Sequence, residues 1–192
     1  MSDRHRLWAL GLLAAVCALA ALLAGPAAAA EAKDWRIDNI DVILDVQENG
    51  DVIVDETVTF TFEGTYRFVA MDIPLANIAN GITDIEVRDA NGAALPKGDE
   101  NTPGTYMVYE QSGMKALEVH FNLTNATETW TFHYRAKQMI MFFDVGDELR
   151  WYVFDAVTPV PIGAARATVK LPGEVTSEKM AQQVQAGYGV ET

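Results

Sequence analysis

The residues in this chain that could do chemistry are few and badly placed for it. Beyond residue 30 the only serines are Ser112 and Ser177 and the only histidines are His120 and His133. Ser112 falls in a Ser-Gly turn and lacks the Gly-x-Ser-x-Gly surroundings of an activated nucleophile. The single cysteine, Cys17, lies inside an apolar run, so no disulfide framework or cysteine metal site is available to the rest of the chain. If the strands carrying the histidines turn at Leu123–Ala126, His120 faces Thr129 and His133 faces Ala116. The two rings then sit ~14 Å apart along the sheet, too far to share a zinc ion, and read as surface histidines. Asp144-Val145-Gly146-Asp147-Glu148 groups three acids, but Asp144, Asp147 and Glu148 lack the alternating spacing of a calcium loop and are weak candidates. Gly187-Tyr188-Gly189 has neither the third glycine nor the strand–helix context of a nucleotide site. All but one of the 27 acidic residues follow residue 30, too many for spacing to pick out a hydrolytic pair. No enzyme, metal or cofactor is expected.

Two constellations point to contacts instead. Glu56 shares the strand phase of Val54, Val58 and Phe60, which sends a carboxylate toward the core. A buried carboxylate needs a cation or a proton, and Arg67 is the next basic residue along the chain, so a structural Glu56–Arg67 ion pair is predicted. Met139–Phe143 and Leu149–Phe154 are apolar on both strand faces. A hairpin closed by Asp144–Glu148 sets Phe143 opposite Leu149, Met141 opposite Trp151 and Met139 opposite Val153. Met139, Met141, Phe143 and Trp151 form the candidate interaction face, because a hairpin apolar on both sides needs two covers. Trp35 and Trp151 support an alternative reading as a carbohydrate- or ligand-binding module if they are exposed.

The elements that must position these residues alternate with a period of two. Ile40, Val42, Leu44 and Val46 run into Glu48-Asn49-Gly50, and Val52, Val54, Val58, Phe60 and Phe62 follow. A three-residue loop with a left-handed Gly50 sets Val46 against Val52 and Leu44 against Val54. A second hairpin around Ser112-Gly113 sets Val108 against Leu117, Tyr106 against Val119 and Glu110 against Lys115. Eight to ten short strands predict an all-β fold, an antiparallel β-sandwich of immunoglobulin-like architecture over residues 31–172.

The formal charge of −13 excludes the electrostatics of nucleic-acid binding. Arg4, His5 and Arg6 precede an apolar stretch from Leu7 to Ala24, and Gly25-Pro26 and Ala28-Ala29-Ala30 complete a signal-peptide pattern over residues 1–30. Residues 31 onward are therefore expected outside the cytoplasm. The tail from 173 to 192 carries no assigned element.

Three stretches together carry a resemblance: Trp35-Arg36-Ile37 with Val46 through Val58, Gly64-Thr65-Tyr66-Arg67 with Ile73-Pro74, and Asp147 through Trp151 with Pro161-Ile162 and Lys170-Leu171-Pro172. This pattern resembles the N-terminal extracytoplasmic domain of a bacterial family of predicted membrane proteins, domain of unknown function 2207. The resemblance implies a signal peptide, an extracytoplasmic β domain, then membrane helices, with no agreed activity and no catalytic residues. One departure is the absence of tryptophan in Ala156-Val157-Thr158-Pro159-Val160, ahead of the Pro-Ile pair. The chain is expected to be a fragment that meets the membrane through a missing C-terminal region, or a secreted relative if complete. Its expected role is a non-enzymatic, membrane-associated module that contacts an envelope protein.

Overall fold

The computed structural model describes residues 33–75, 81–100, 102–153 and 160–173. The leader expected at 1–30 and residues 174–192 of the tail lie outside the described residues. Eight strands follow one another: β1 (Asp34–Val46), β2 (Val52–Pro74), β3 (Ile82–Arg88), β4 (Thr105–Gln111), β5 (Met114–Ala136), β6 (Ile140–Met141), β7 (Glu148–Leu149) and β8 (Ile162–Lys170). Six form one sheet in the order β3-β5-β2-β1-β8, with β4 also on β5, while β6 and β7 pair separately. The chain is thus an all-β protein among its described residues.

Local patterning sets both hairpins. Val46 faces Val52, Leu44 faces Val54, and Gly50 takes φ +83°, which glycine adopts without steric cost. Around Ser112-Gly113, Val108 faces Leu117 and Tyr106 faces Val119, and Glu110 binds Lys115 at 2.8 Å.

The turn expected at Leu123–Ala126 does not form. β2 and β5 are each 23 residues long and pair antiparallel along almost their whole lengths. At mid-length the register slips between Phe62 and Thr65. Gly64 (φ +87°) and Asn125 (φ +50°) meet there, and the Gly64 amide donates to Asn125 Oδ1 at 2.6 Å. This is a bulge shared by both strands, and it bends them together. The Phe121 and Trp130 rings, nine residues apart on β5, stack at 5.1 Å between centroids, whereas a straight strand would separate them by about 30 Å. Phe62 closes on Phe121 at 5.2 Å inside the bend. The core lies in that fold, from Ile40, Val42 and Leu44 on β1 through Val54, Val58 and Phe60 to Phe132 and Tyr134 on β5. The opposite face of the ladder is knitted by threonine pairs, Thr57–Thr131 and Thr59–Thr129 at 2.9 Å and Thr61–Thr127 at 2.7 Å.

The expectation of a purely antiparallel fold is corrected by β8, which pairs parallel to β1, with Val42 beside Ala167 and Leu44 beside Val169. The sheet is mixed. Gly163 permits the approach, since a Cβ there would lie 2.6 Å from the Asp38 carbonyl oxygen. Because β5 and β8 both run in the direction of β1, the chain between them must return the length of the sheet. The described residues of that return are 137–153 and 160–161, of which Met139, Ile140, Leu149, Trp151, Val153 and Val160 pack against the core.

The corner gives the first test. Asn125→Ala loses both a residue tolerant of positive φ and the acceptor for the Gly64 amide, and should destabilise the protein by about 2 kcal/mol in urea unfolding; Asn125→Gly, which keeps the conformation, should cost less.

Candidate functional site

The crossover hairpin is held by the β1–β2 turn. The Met139 and Ile140 amides both donate to the Gly50 carbonyl, at 2.8 and 3.3 Å. Asp51 secures the chain just before them: it accepts from the Gln138 amide at 3.0 Å, Asn49 at 3.0 Å and Arg135 at 3.2 Å. The Gln138 amide, then the Asn49 and Arg135 bonds, hold its carboxyl below the usual range despite burial. The Phe142 ring lies over Gly50, where a Cβ would come within 3.3 Å of it.

This anchoring corrects the expected register. Ile140 faces Leu149 and Met141 faces Glu148, leaving a six-residue loop over 142–147 in place of a loop over 144–148. The shift of three residues is odd, so Leu149 shares the face of Ile140 instead of that of Met139 and Met141. Met139 and Trp151 turn onto the core, while Met141 and Phe143 are exposed. Phe142 and Tyr152, assigned by the sequence to the other face, are 66% and 74% exposed, and Val145 at the tip is 99% exposed. The signal for them was the apolar character of both faces. Met141, Phe142, Phe143, Val145 and Tyr152 are thus five exposed large apolar side chains along a segment fixed to the sheet at Gly50. Asp144 and Asp147 lie within it, and Glu148 pairs with Arg150. Among the described residues no group of three or more acidic, histidine or cysteine side chains could hold a metal ion.

Neither tryptophan of the sugar-binding alternative stands free. Trp35 is half-buried against Phe60 at 6.2 Å, and Trp151 stacks over Tyr134 at 6.4 Å and 26°.

The histidines occupy one continuous strand, not two paired ones, so their expected cross-strand spacing does not apply. His133 Nδ1 meets Asp55 at 2.8 Å, and Asp55 also accepts from Arg88 at 3.4 Å. His120 is not a surface residue: it is 4% exposed, beside Thr105 on β4, over which the loop at Gly98 closes so tightly that a Cβ would strike the threonine side chain. Its Nε2 has no hydrogen bond, with Glu118 Oε1 at 3.4 Å.

Glu56 points to the core as its strand phase requires, between Val42 on β1 and Phe132 on β5. The expected Glu56–Arg67 ion pair does not form. Arg67 lies beyond the corner at Gly64, is exposed, and donates to Asn122 Oδ1 at 3.3 Å. Proximity in sequence did not survive the bend. Glu56 makes no hydrogen bond or ion pair among the described residues. A strip of the residue reaches solvent, yet protein surrounds the carboxylate on nearly every side, and burial pushes its pKa up to about 7. Its negative charge and, more strongly, burial raise the Tyr134 hydroxyl well above its ordinary value.

Residues 36–190 match the family described as the N-terminal domain of a predicted membrane protein, DUF2207. The chain belongs to that family. No curated protein matches it. Among solved structures it is similar to an M1 zinc metallopeptidase from Deinococcus radiodurans, at 13% identity and a TM-score of 0.32, over 54% of this chain and 20% of that one. A mutant of that enzyme bound to a Tyr-Ser-Ala substrate gives 12% identity and a TM-score of 0.33, over 56% of this chain and 21% of that one. The chain spans about a fifth of those enzymes, and a likeness of this degree carries no argument about peptidase activity. Among the described residues no helix is long and apolar enough to cross a membrane.

Glu56 sets a pH dependence. Below its ordinary value of 4.5 the acid is protonated in both folded and unfolded chains. Between 4.5 and about 7 only the unfolded chain ionises, so stability falls as pH rises, by up to roughly 3 kcal/mol, and levels off above that. Glu56→Gln should remove this component and raise stability at pH 8, measured by denaturant unfolding from pH 4 to 8. A wild-type profile unchanged by the substitution would contradict the assignment.

Proposed function

We propose that this domain is a non-enzymatic, extracytoplasmic module of a predicted membrane protein, and that it mediates protein interaction at the cell envelope through the tip of its crossover hairpin. The observation that carries the reading is the exposure of Phe142, Phe143, Val145 and Tyr152 together on a hairpin anchored to Gly50. Exposed apolar side chains clustered on a pinned support fit a docking surface, since they lose little freedom on binding. Asp144 and Asp147 beside them suit a partner groove that is apolar within and basic at its rim. The sheet, folded at Gly64 and Asn125 and covered by the crossover, supports a sandwich-like, layered architecture as the rigid frame. The apolar leader ending in Ala28-Ala29-Ala30 supports export of the domain, and the family description supports attachment to the membrane by chain beyond it.

A photo-crosslinking residue placed at Val145 in cells should join the domain to one discrete envelope protein, while the same residue at exposed Thr127, on the far face of the ladder, should not. Phe143→Ser in the Val145 background should abolish the product and change stability by less than about 0.5 kcal/mol, because the side chain is exposed. Equal labelling from both positions, or none from Val145, would defeat the reading.

A further inference from the structure

The two edges of the main sheet differ. Beyond β5, the segment from Ala94 to Gly98 closes the outer sides of both β3 and β4. The Leu95 amide donates to the Val87 carbonyl at 2.8 Å, the Tyr106 amide to the Pro96 carbonyl at 3.1 Å, and the Gly98 amide to the Tyr106 carbonyl at 2.9 Å. At the other edge β8 pairs only with β1 among the described residues. Every residue from Gly163 to Lys170 is exposed, which is true of no other strand of that sheet. The Ile37 amide on β1 donates to the Pro161 carbonyl at 3.1 Å, which fixes the direction of the backbone groups that follow. They alternate along a strand, so Gly163, Ala165, Ala167 and Val169 turn theirs to β1, and Ala164, Arg166, Thr168 and Lys170 turn theirs outward. Natural edges are guarded by bulges, internal prolines or free charges. β8 keeps an unbroken register with β1, contains no proline, and has its Arg166 tied to Asp41 on β1.

We propose that β8 is a dimerisation edge, onto which β8 of a second copy of this chain adds as an antiparallel strand and joins the two sheets into one. The side chains select a two-fold axis at Ala167. Ala165, Ala167 and Val169 lie beside Ile40, Val42 and Leu44, which puts them on the core-side face, and Leu171 follows in the alternation. With Ala167 opposite its counterpart, Val169 meets Ala165 of the second copy and Leu171 meets Gly163, so each large side chain faces a small one. Val169 and Leu171 are 48% and 40% exposed, apolar surface that this pairing covers. On the other face Arg166 meets Thr168 and Lys170 meets Ala164, so no like charges are directly opposed. An axis one residue earlier sets Arg166 against itself, and one residue later sets it against Lys170, both destabilising. A slip that mixes the two faces would turn the apolar side chains against polar ones. β8 has no acidic residue, so the chain's formal charge of −13 is carried elsewhere than on this strand. A strand that meets its own copy in this way makes a closed two-fold contact and stops at a dimer. The inference does not depend on the hairpin-tip reading, because no residue of that hairpin lies on β8.

The test is disulfide trapping in cells that express the full chain with Cys17→Ser, so that an introduced thiol is the only one in the protein. Opposed residues whose backbone groups point away from each other stand about 4.5 Å apart at Cα, within disulfide range. Ala167→Cys should therefore give a disulfide-linked dimer on mild oxidation, read by non-reducing electrophoresis. Ala165→Cys places an exposed thiol on the same face, but the two copies of that position lie about 14 Å apart along the strands and should not link. The Thr168 amide points outward and would donate to the Arg166 carbonyl of the second copy. Thr168→Pro added to Ala167→Cys removes that bond on each side of the axis and should cut the linked fraction about tenfold. Thr168→Arg leaves the backbone unchanged, sets an arginine opposite Arg166 and should also lower the linked fraction. No linkage from Ala167→Cys, equal linkage from both cysteine positions, or linkage unmoved by both Thr168 substitutions overturns the dimer edge.

Discussion

The bulge that Gly64 and Asn125 share is the constraint on which the rest of this structure depends. One hydrogen bond of 2.6 Å and two left-handed residues convert a pair of 23-residue strands into a folded ladder. The bend brings Phe62, Phe121 and Trp130 together and so creates an interior from strands that would otherwise present one flat face. It also leaves β3 and β4 on the same edge of β5, one on each side of the corner. The parallel β8 adds the second demand, a crossover that must return over the sheet. That crossover closes the open side of the core and carries the exposed hairpin.

Much of this was legible in the sequence where the determinants are local. Alternation plus a three-residue turn at Gly50 is enough to select the β1–β2 register, because a one-residue slip would turn every valine outward. The same holds around Ser112-Gly113. The long strands were not legible, because glycine and asparagine permit a left-handed backbone equally in a turn and in a bulge. Only the opposing strand decides between them, and Gly64 meets Asn125 across 61 positions of sequence. The parallel placement of β8 was hidden for a related reason: nothing in Ala164–Leu171 states the direction of its neighbour.

At the candidate site the same division appears. Strand phase placed Glu56 on the core face, but the choice of Arg67 as its partner assumed that neighbours in sequence remain neighbours beyond a turn. The bend put Arg67 beside Asn122. In the hairpin, an apolar content on both faces left the register undetermined, and two amides bonded to the Gly50 carbonyl decided it. Membership of the DUF2207 family supplies a setting for these features, a domain at the N-terminus of a predicted membrane protein, without supplying an activity. Among the described residues Glu56 has no hydrogen bond or ion pair and the apolar side chains of the hairpin stand exposed, and both are departures from what stability alone would select.

The most direct test of the account is whether the ladder is bent in solution. A nuclear Overhauser effect between the ring protons of Phe121 and the indole of Trp130 is predicted, because their centroids are 5.1 Å apart. Its absence, with both side chains assigned, would mean that β5 runs straight and holds the rings about 30 Å apart, and the folded core, the crossover and the hairpin support would all be contradicted.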